Sequence, residues 1–178
     1  MTAITYRAPT KADLPALGDI GRRTFTATFG HLYSEKDLND FLEMVWGDAA
    51  LAEEFTTGER AWQIAERDGR MVGYVKVGKP YTEHPAPEPG RRVTELAQLY
   101  VEEGVKGTGV ADTLMTWAID WATDCEFHDM ILSVWAENAR AQRFYARYGF
   151  TEIGRHIFMV GETEDDDRIW LKRLTPIG

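Results

Sequence analysis

The chain has 178 residues, 44% of them hydrophobic, enough for one well-buried core and too few for two full-sized domains, so a single domain over 1–178 is expected. A formal net charge of −9 disfavours sequence-independent binding of DNA or RNA, which needs a basic face to displace counterions; no nucleic-acid partner is expected. The opening MTAITYRAPT lacks a secretory apolar stretch, no window reaches the roughly 18 apolar residues of a membrane span, and the lone Cys125 has no cysteine to pair with, so a cytoplasmic protein without a membrane partner is expected.

Residues 3–8 read as a short strand, and Pro9 with Asp13 leads into a helix with Leu14, Leu17, Ile20, Phe25 and Phe29 on its apolar side. Gly30 breaks that helix. Ser34 then opens Ser-Glu-Lys-Asp, a capping-box-like start with Asp in place of Glu, before Leu38, Phe41, Leu42 and Val45 at helical spacing. A further short helix is expected around 49–55. Two apolar-rich runs, Ala61–Glu66 and Met71–Val77, flank Arg-Asp-Gly-Arg, where Asp68-Gly69 is a strong hairpin signal. Prolines at 80, 85, 87 and 89 make Lys79–Arg92 an irregular loop, long enough to be a flexible flank to a site.

Val93–Val101 reads as a strand feeding a glycine-spaced turn, and Val110, Leu114, Trp117, Ala118 and Trp121 form an apolar stripe on the helix that follows. Met130–Trp135 is a strand and Asn138–Tyr148 a helix stopped by Gly149. Phe150–Val160 and Arg168–Leu174 read as a last antiparallel pair, with the acidic run Glu162–Asp167 as its linker. The sheet is therefore mixed, and the two hairpins disfavour a doubly wound dinucleotide fold.

The turn carries the first chemical signal. Gly107 and Gly109 let the backbone approach an anion, and the amides at the start of the next helix, at its positive dipole end, attract one. On its own this is a phosphate cradle or simply a tight connection. The histidines at 31, 84, 128 and 156 have no metal-ligand spacing, and the aspartates at 165–167 lack the glycine and terminal glutamate of a calcium loop, so no metal is expected.

Lys106, Gly109 and Ala111 occupy the slots of the acetyl-coenzyme A loop of the GCN5-related N-acetyltransferases (GNAT), with lysine where Arg or Gln is usual. Leu132-Ser133-Val134-Trp135 followed by Asn138, Ala141, Phe144, Tyr145, Gly149 and Phe150 has the order and spacing of that family's last strand and helix. The chain resembles this family in its central half. The resemblance implies an α/β (α+β type) GNAT fold, with a mixed sheet of roughly six or seven strands, about four helices, and central strands splayed at an acetyl-CoA site.

It implies, further, that Leu99, Tyr100 and Val101 offer backbone groups to the pantetheine arm, and that Lys106, Gly107, Thr108, Gly109, Val110 and Ala111 hold the pyrophosphate. Tyr145 matches the tyrosine that protonates the departing thiolate, or is a packed core tyrosine. Asn138 matches a residue that orients cofactor or water, or is a plain N-cap. Phe144, Phe150 and Trp135 read as core. Amines with a solution pKa near 10.4 are mostly protonated at neutral pH. Glu95, on the strand before the loop, is the best-placed acid to take that proton, unless it is a solvated surface residue.

Phe25, Phe29, His31 and Tyr33 are similar to the same region of bacterial polyamine-acetylating members, and Phe29, His31 and Tyr33 are the expected acceptor contacts, the alternative being a packed helix junction. The expected activity is direct transfer of acetyl from acetyl-CoA, as cosubstrate, to a small-molecule primary amine in a ternary complex, with a polyamine leading and a protein or peptide amine second. A coenzyme-binding sensor without turnover and a nucleotide-binding domain are the readings from other classes. A homodimer is expected by analogy with relatives that pair through strands near the chain end.

Overall fold

Asp68 and Gly69 both take positive φ, 55° and 72°, the backbone of a two-residue turn whose twist matches the strands it joins. In the computed structural model, which describes residues 3–175, that turn links β2 (Arg60–Arg67) to β3 (Arg70–Gly78). With β1 (Thr5–Arg7), β4 (Val93–Val101), β5 (Asp129–Trp135), β6 (Thr151–Val160) and β7 (Thr163–Arg173) they form a seven-stranded sheet in the order β1-β2-β3-β4-β5-β7-β6. The α-helices are α1 (Leu14–Phe29), α2 (Glu35–Trp46), α3 (Asp48–Thr57), α4 (Val110–Asp124) and α5 (Ala139–Arg147). The mixed α/β sheet is as expected; the short helix near 49–55 is a separate element, α3, which brings the described helices to five. Residues 1–2 and 176–178 of the expected domain lie outside the described residues.

Two apolar layers sandwich the sheet. On one face Leu114, Ala118 and Ala122 of α4 pack on Val75, Val77, Met130 and Leu132, all buried. On the other, Leu17 and Ile20 of α1, Phe41 and Trp46 of α2 and Leu51 of α3 cover Ile64 and Tyr74. Trp46 Nε1 donates to the Tyr74 hydroxyl at 3.0 Å, and that hydroxyl donates to Gln98 Oε1 at 2.9 Å, so the polar atoms of Trp46 and Tyr74 buried between helices and sheet are paired. The Ser34 cap forms as expected, its oxygen accepting from the Asp37 amide at 3.1 Å.

The pairing of β4 decides where ligands enter. Its contact with β5 is parallel, joined by α4 as a parallel pair requires, and runs only from Val93–Glu95 against Asp129–Ile131. Lys76 opposes Gln98 while Val77 opposes Leu96, which leaves Ala97 as an extra residue, a bulge, on β4. Beyond it the two strands separate.

Two expectations are corrected. The acidic run is not a linker, because β7 begins at Thr163 and only Gly161–Glu162 make the turn. Alternation explains this: Asp165 and Asp167 share the parity of Ile169 and Leu171 and are buried with them on one face, while Glu164 and Asp166 point the other way. The 79–92 loop flanks the site but is pinned at both ends, at Tyr81 and Thr82 by Glu95 and at Arg91 by Asp129.

Candidate active site

The separation of β4 from β5 opens a cavity of about 910 Å³ that reaches from the glycine turn to the aromatic junction of α1 and α2. Its walls include Leu99, Tyr100 and Val101, then Ser133 and Trp135 of β5, Asn138 and Tyr145, and on the far side Phe29, Tyr33, Phe158, Asp165 and Asp167. Past the bulge, the β4 backbone groups on the β5 side have no sheet partner there, so alternate N–H and C=O groups of 99–101 are open to a ligand.

At one end, Gly107 and Gly109 adopt φ of 80° and 87°, in the left-handed region, and a Cβ at either would meet nothing within 4 Å. α4 begins directly after Gly109, with no side-chain cap. Its first backbone bond runs from the Thr113 amide to the Gly109 carbonyl, so the amides of Val110, Ala111 and Asp112 are left for an anion. Lys106 and Ala111 line the cavity. The Val110 side chain is buried under the sheet, so it offers only its amide, and the Thr108 amide turns back to the Val105 carbonyl at 3.3 Å. Lys106 pairs with Glu103 on the rim.

Tyr145 projects from α5 between Phe144 and Phe150, with ring centroids 5.6 Å and 6.0 Å away. It lines the cavity, and its hydroxyl has no hydrogen-bond partner among the described residues. Burial pushes that hydroxyl up to about 12, so it carries its proton at neutral pH. Asn138 caps α5, its Oδ1 accepting from the Ala141 amide at 3.1 Å; it lines the cavity, and the amide nitrogen of its side chain is left as a donor.

Glu95 is buried, 4% exposed, and is no surface residue. Its carboxylate accepts from the Tyr81 amide at 2.5 Å, the Thr82 amide at 3.0 Å and the Thr82 hydroxyl at 2.8 Å. A carboxylate has about four lone-pair positions, so one remains. Of the expected acceptor contacts, Phe29 and Tyr33 line the cavity, and Phe29 meets Trp135 edge-on at 6.0 Å; His31 is exposed and outside the lining. Trp135, expected in the core, instead lines the cavity, because β5 has lost its β4 neighbour by that point and its end faces the gap; Phe144 packs against the core as expected and also lines the cavity. Phe150 is core.

The residues missed from sequence are Asp165 and Asp167. Tyr33 donates to Asp165 in a short hydrogen bond, and Ser133 Oγ donates to Asp167 at 2.7 Å. Reading period-two alternation back from Leu171 would have put both on the inner face. Among the described residues no group of three or more His, Cys, Asp or Glu is arranged to hold a metal, and no helix is long and apolar enough to cross a membrane.

The profile of the acetyltransferase (GNAT) family matches residues 21–150. An uncharacterised N-acetyltransferase of Mycobacterium bovis is 31% identical over 162 residues, 91% of this chain and 98% of its own. Among solved structures, the PaiA N-acetyltransferase of Thermoplasma acidophilum in complex with coenzyme A superposes with a TM-score of 0.76 at 18% identity, covering 96% of this chain and 99% of that one. A ribosomal-protein-alanine N-acetyltransferase of Brucella melitensis gives 0.68 at 26% identity, covering 95% and 99%.

Proposed function

The chain belongs to the acetyltransferase (GNAT) family and is an acetyl-CoA-dependent N-acetyltransferase; from that premise we propose that its acceptor is a primary amine on a small polycation such as a polyamine, acetylated by direct attack in a ternary complex. The residues present suit the cosubstrate. Two left-handed glycines and three uncommitted amides form an anion cradle at one end of the cavity, and an unpaired strand edge leads from it. Acetyl-CoA supplies an acyl group activated as a thioester, with a thiolate as leaving group.

In this reading the Val110–Asp112 amides and Lys106 hold the pyrophosphate, and the 99–101 backbone aligns the pantetheine arm. The Asn138 side-chain amide orients the cofactor or a water. The acceptor ammonium gives up a proton through a water on the last free lone pair of Glu95, the Tyr145 hydroxyl gives its proton to the sulfur as the C–S bond breaks, and the second proton shed by the new amide nitrogen restores the phenol. Phe29 and Tyr33 form the acceptor wall, where aromatic faces attract a cation.

The observation that carries the polyamine reading is the far wall of the cavity, where aromatic rings surround carboxylates. The competing acceptor, a peptide N-terminus, is favoured by the 26% identity to the alanine acetyltransferase. An amine panel decides between them. Thiol release from acetyl-CoA is expected with spermidine and spermine, and not with an alanine-initiated peptide; release with the peptide alone would overturn the polyamine reading.

Lys106→Gln is expected to raise the Kd of coenzyme A by no more than about fivefold in a calorimetric titration, because an exposed lysine contributes roughly 1 kcal/mol or less while the backbone amides stay in place. A hundredfold loss would make the lysine, and not the backbone, the principal phosphate ligand.

A further inference from the structure

Apart from Asp165 and Asp167, the acids in the body of the fold are matched with cations or filled by several protein donors. Asp129 is held by Arg91 and Arg173, and Glu54 by Lys76 and Arg60. Glu95 lacks a cation but accepts from three protein donors, whereas among the described residues Asp165 and Asp167 have neither a cation nor more than one donor each. They are 8% and 9% exposed, each with one hydroxyl donor, from Tyr33 and Ser133 respectively. Among the described residues neither forms an ion pair. Two positions apart on one strand, their Cα atoms are roughly 7 Å from each other on the same face.

Burying two like charges this close without a counterion is unfavourable on two counts, lost hydration and mutual repulsion. The effect is visible at Asp167, whose carboxyl is held above the usual range first by burial and also by the Asp165 charge, against the Ser133 hydrogen bond. The groups that face Asp167 leave this unresolved. Ser133 comes from β5, Tyr100 from β4, Tyr33 from the turn after α1, and His156 stands opposite it on β6 without an ion pair. Both carboxylates line the same cavity as Tyr145, and Phe29, Tyr33 and Phe158 add aromatic surface there.

We infer that Asp165 and Asp167 form the cation subsite of the acceptor, taking the second ammonium of a diamine or polyamine whose other amine is presented to the β4–β5 gap. This rests on the amine-acceptor reading and adds a selection rule to it. The pair favours acceptors with a second nitrogen over those with one, because a monoamine in the reactive position leaves the carboxylates as uncompensated as in the free protein. It also disfavours acceptors carrying a carboxylate at the same distance. The arrangement stores instability in the free protein, which a dication relieves on binding.

The test uses the full chain and the variants Asp165→Asn, Asp167→Asn and the double variant. Asparagine keeps an oxygen for each hydroxyl donor and removes the charge. Each single variant is expected to raise the KM for spermidine about tenfold or more, leaving the KM for acetyl-CoA unchanged. Wild type is expected to prefer spermidine to butylamine, and the double variant to lose that preference.

Thermal unfolding gives a readout independent of turnover. Without amine, the double variant is expected to melt at or above wild type, and the rise in Tm that spermidine gives wild type should vanish. A spermidine KM and Tm shift unaffected by the double variant would overturn the inference, and so would a fall in Tm of the amine-free variant with equal losses for spermidine and butylamine, the signature of a structural role. If wild type acetylates no polyamine yet gains Tm from spermidine through these two acids, the subsite stands and the polyamine reading of the reaction falls. If wild type gains no Tm from spermidine and acetylates none, both fall.

Discussion

Tyr145→Phe is expected to lower kcat by about 10²- to 10⁴-fold, the range for removal of a positioned general acid, while the Kd of coenzyme A stays within about twofold. The ring stays, and with it the packing on Phe144 and Phe150. What goes is a hydroxyl that lines the cavity without a protein partner and that burial keeps protonated, at about 12, across the working range of the enzyme. A thiol titrates near 8.5, so full transfer from the phenol stays uphill even once the thiolate has formed, and is least unfavourable at that point. The hydroxyl therefore acts as a hydrogen-bond donor first and gives its proton late. Single-turnover thiol release with a calorimetric Kd separates the outcomes. Equal losses in rate and affinity would reduce Tyr145 to packing, and an unchanged rate would remove it from the chemistry. The high value also means that Tyr145 contributes no alkaline decline in kcat below about pH 11.

The largest stability effect is expected at Asp129, the first residue of β5 and the partner of Val93 where the parallel pair begins. It is 1% exposed and accepts from Arg91 Nε and Nη2, both at 2.7 Å, and from Arg173 Nη1 at 3.0 Å. Asp129→Ala leaves two guanidinium groups without their carboxylate and is expected to cost about 3–5 kcal/mol in urea denaturation. The pH dependence has a definite sign. Burial by itself would raise this carboxyl, but the bonds from Arg91 and Arg173 outweigh it and hold it below the usual carboxylate range. The folded pKa is thus below the unfolded one, near 3.9, so the contribution is complete above that value and is lost as pH falls through the folded pKa. Wild type should lose stability steeply below about pH 4, and Asp129→Asn less steeply; parallel curves would show that the ion triad contributes nothing.

The two effects connect through the strand. Asp129 fixes the start of β5, three paired residues later the strand leaves β4, and the gap that follows opens into the cavity that Tyr145 and Trp135 line. Weakening the triad should therefore disturb the site as well as the fold.

Most of the strands and helices were legible because their signals are local. Asp68-Gly69 specifies its hairpin through the φ angles those residues tolerate, Ser34 specifies a cap, and the stripe from Val110 to Trp121 specifies a helix with one buried face. The Asn138–Phe150 pattern located Tyr145 for the same reason, since a helix start and a spacing are enough to place a side chain. The β7 acids were not legible as site residues. Four acidic residues in a row look like a solvated turn, and only alternation carried on from Ile169 and Leu171 shows that two of them point inward.

Glu95 was found, but its engagement was not, because the donors that fill its carboxylate come from Tyr81 and Thr82 in a proline-rich loop with no local pattern. The sequence by itself determined the order of the elements, the glycine turn and the resemblance that names the cosubstrate, all properties of residues close together along the chain. Only the tertiary structure decided that β4 bulges at Ala97 and parts from β5, that Trp135 faces a cavity and not a core, and that Asp165 and Asp167 are buried there without a cation. Each of those depends on which strands become neighbours and which charges they leave unmatched, a matter of distance in space that neighbouring residues do not encode.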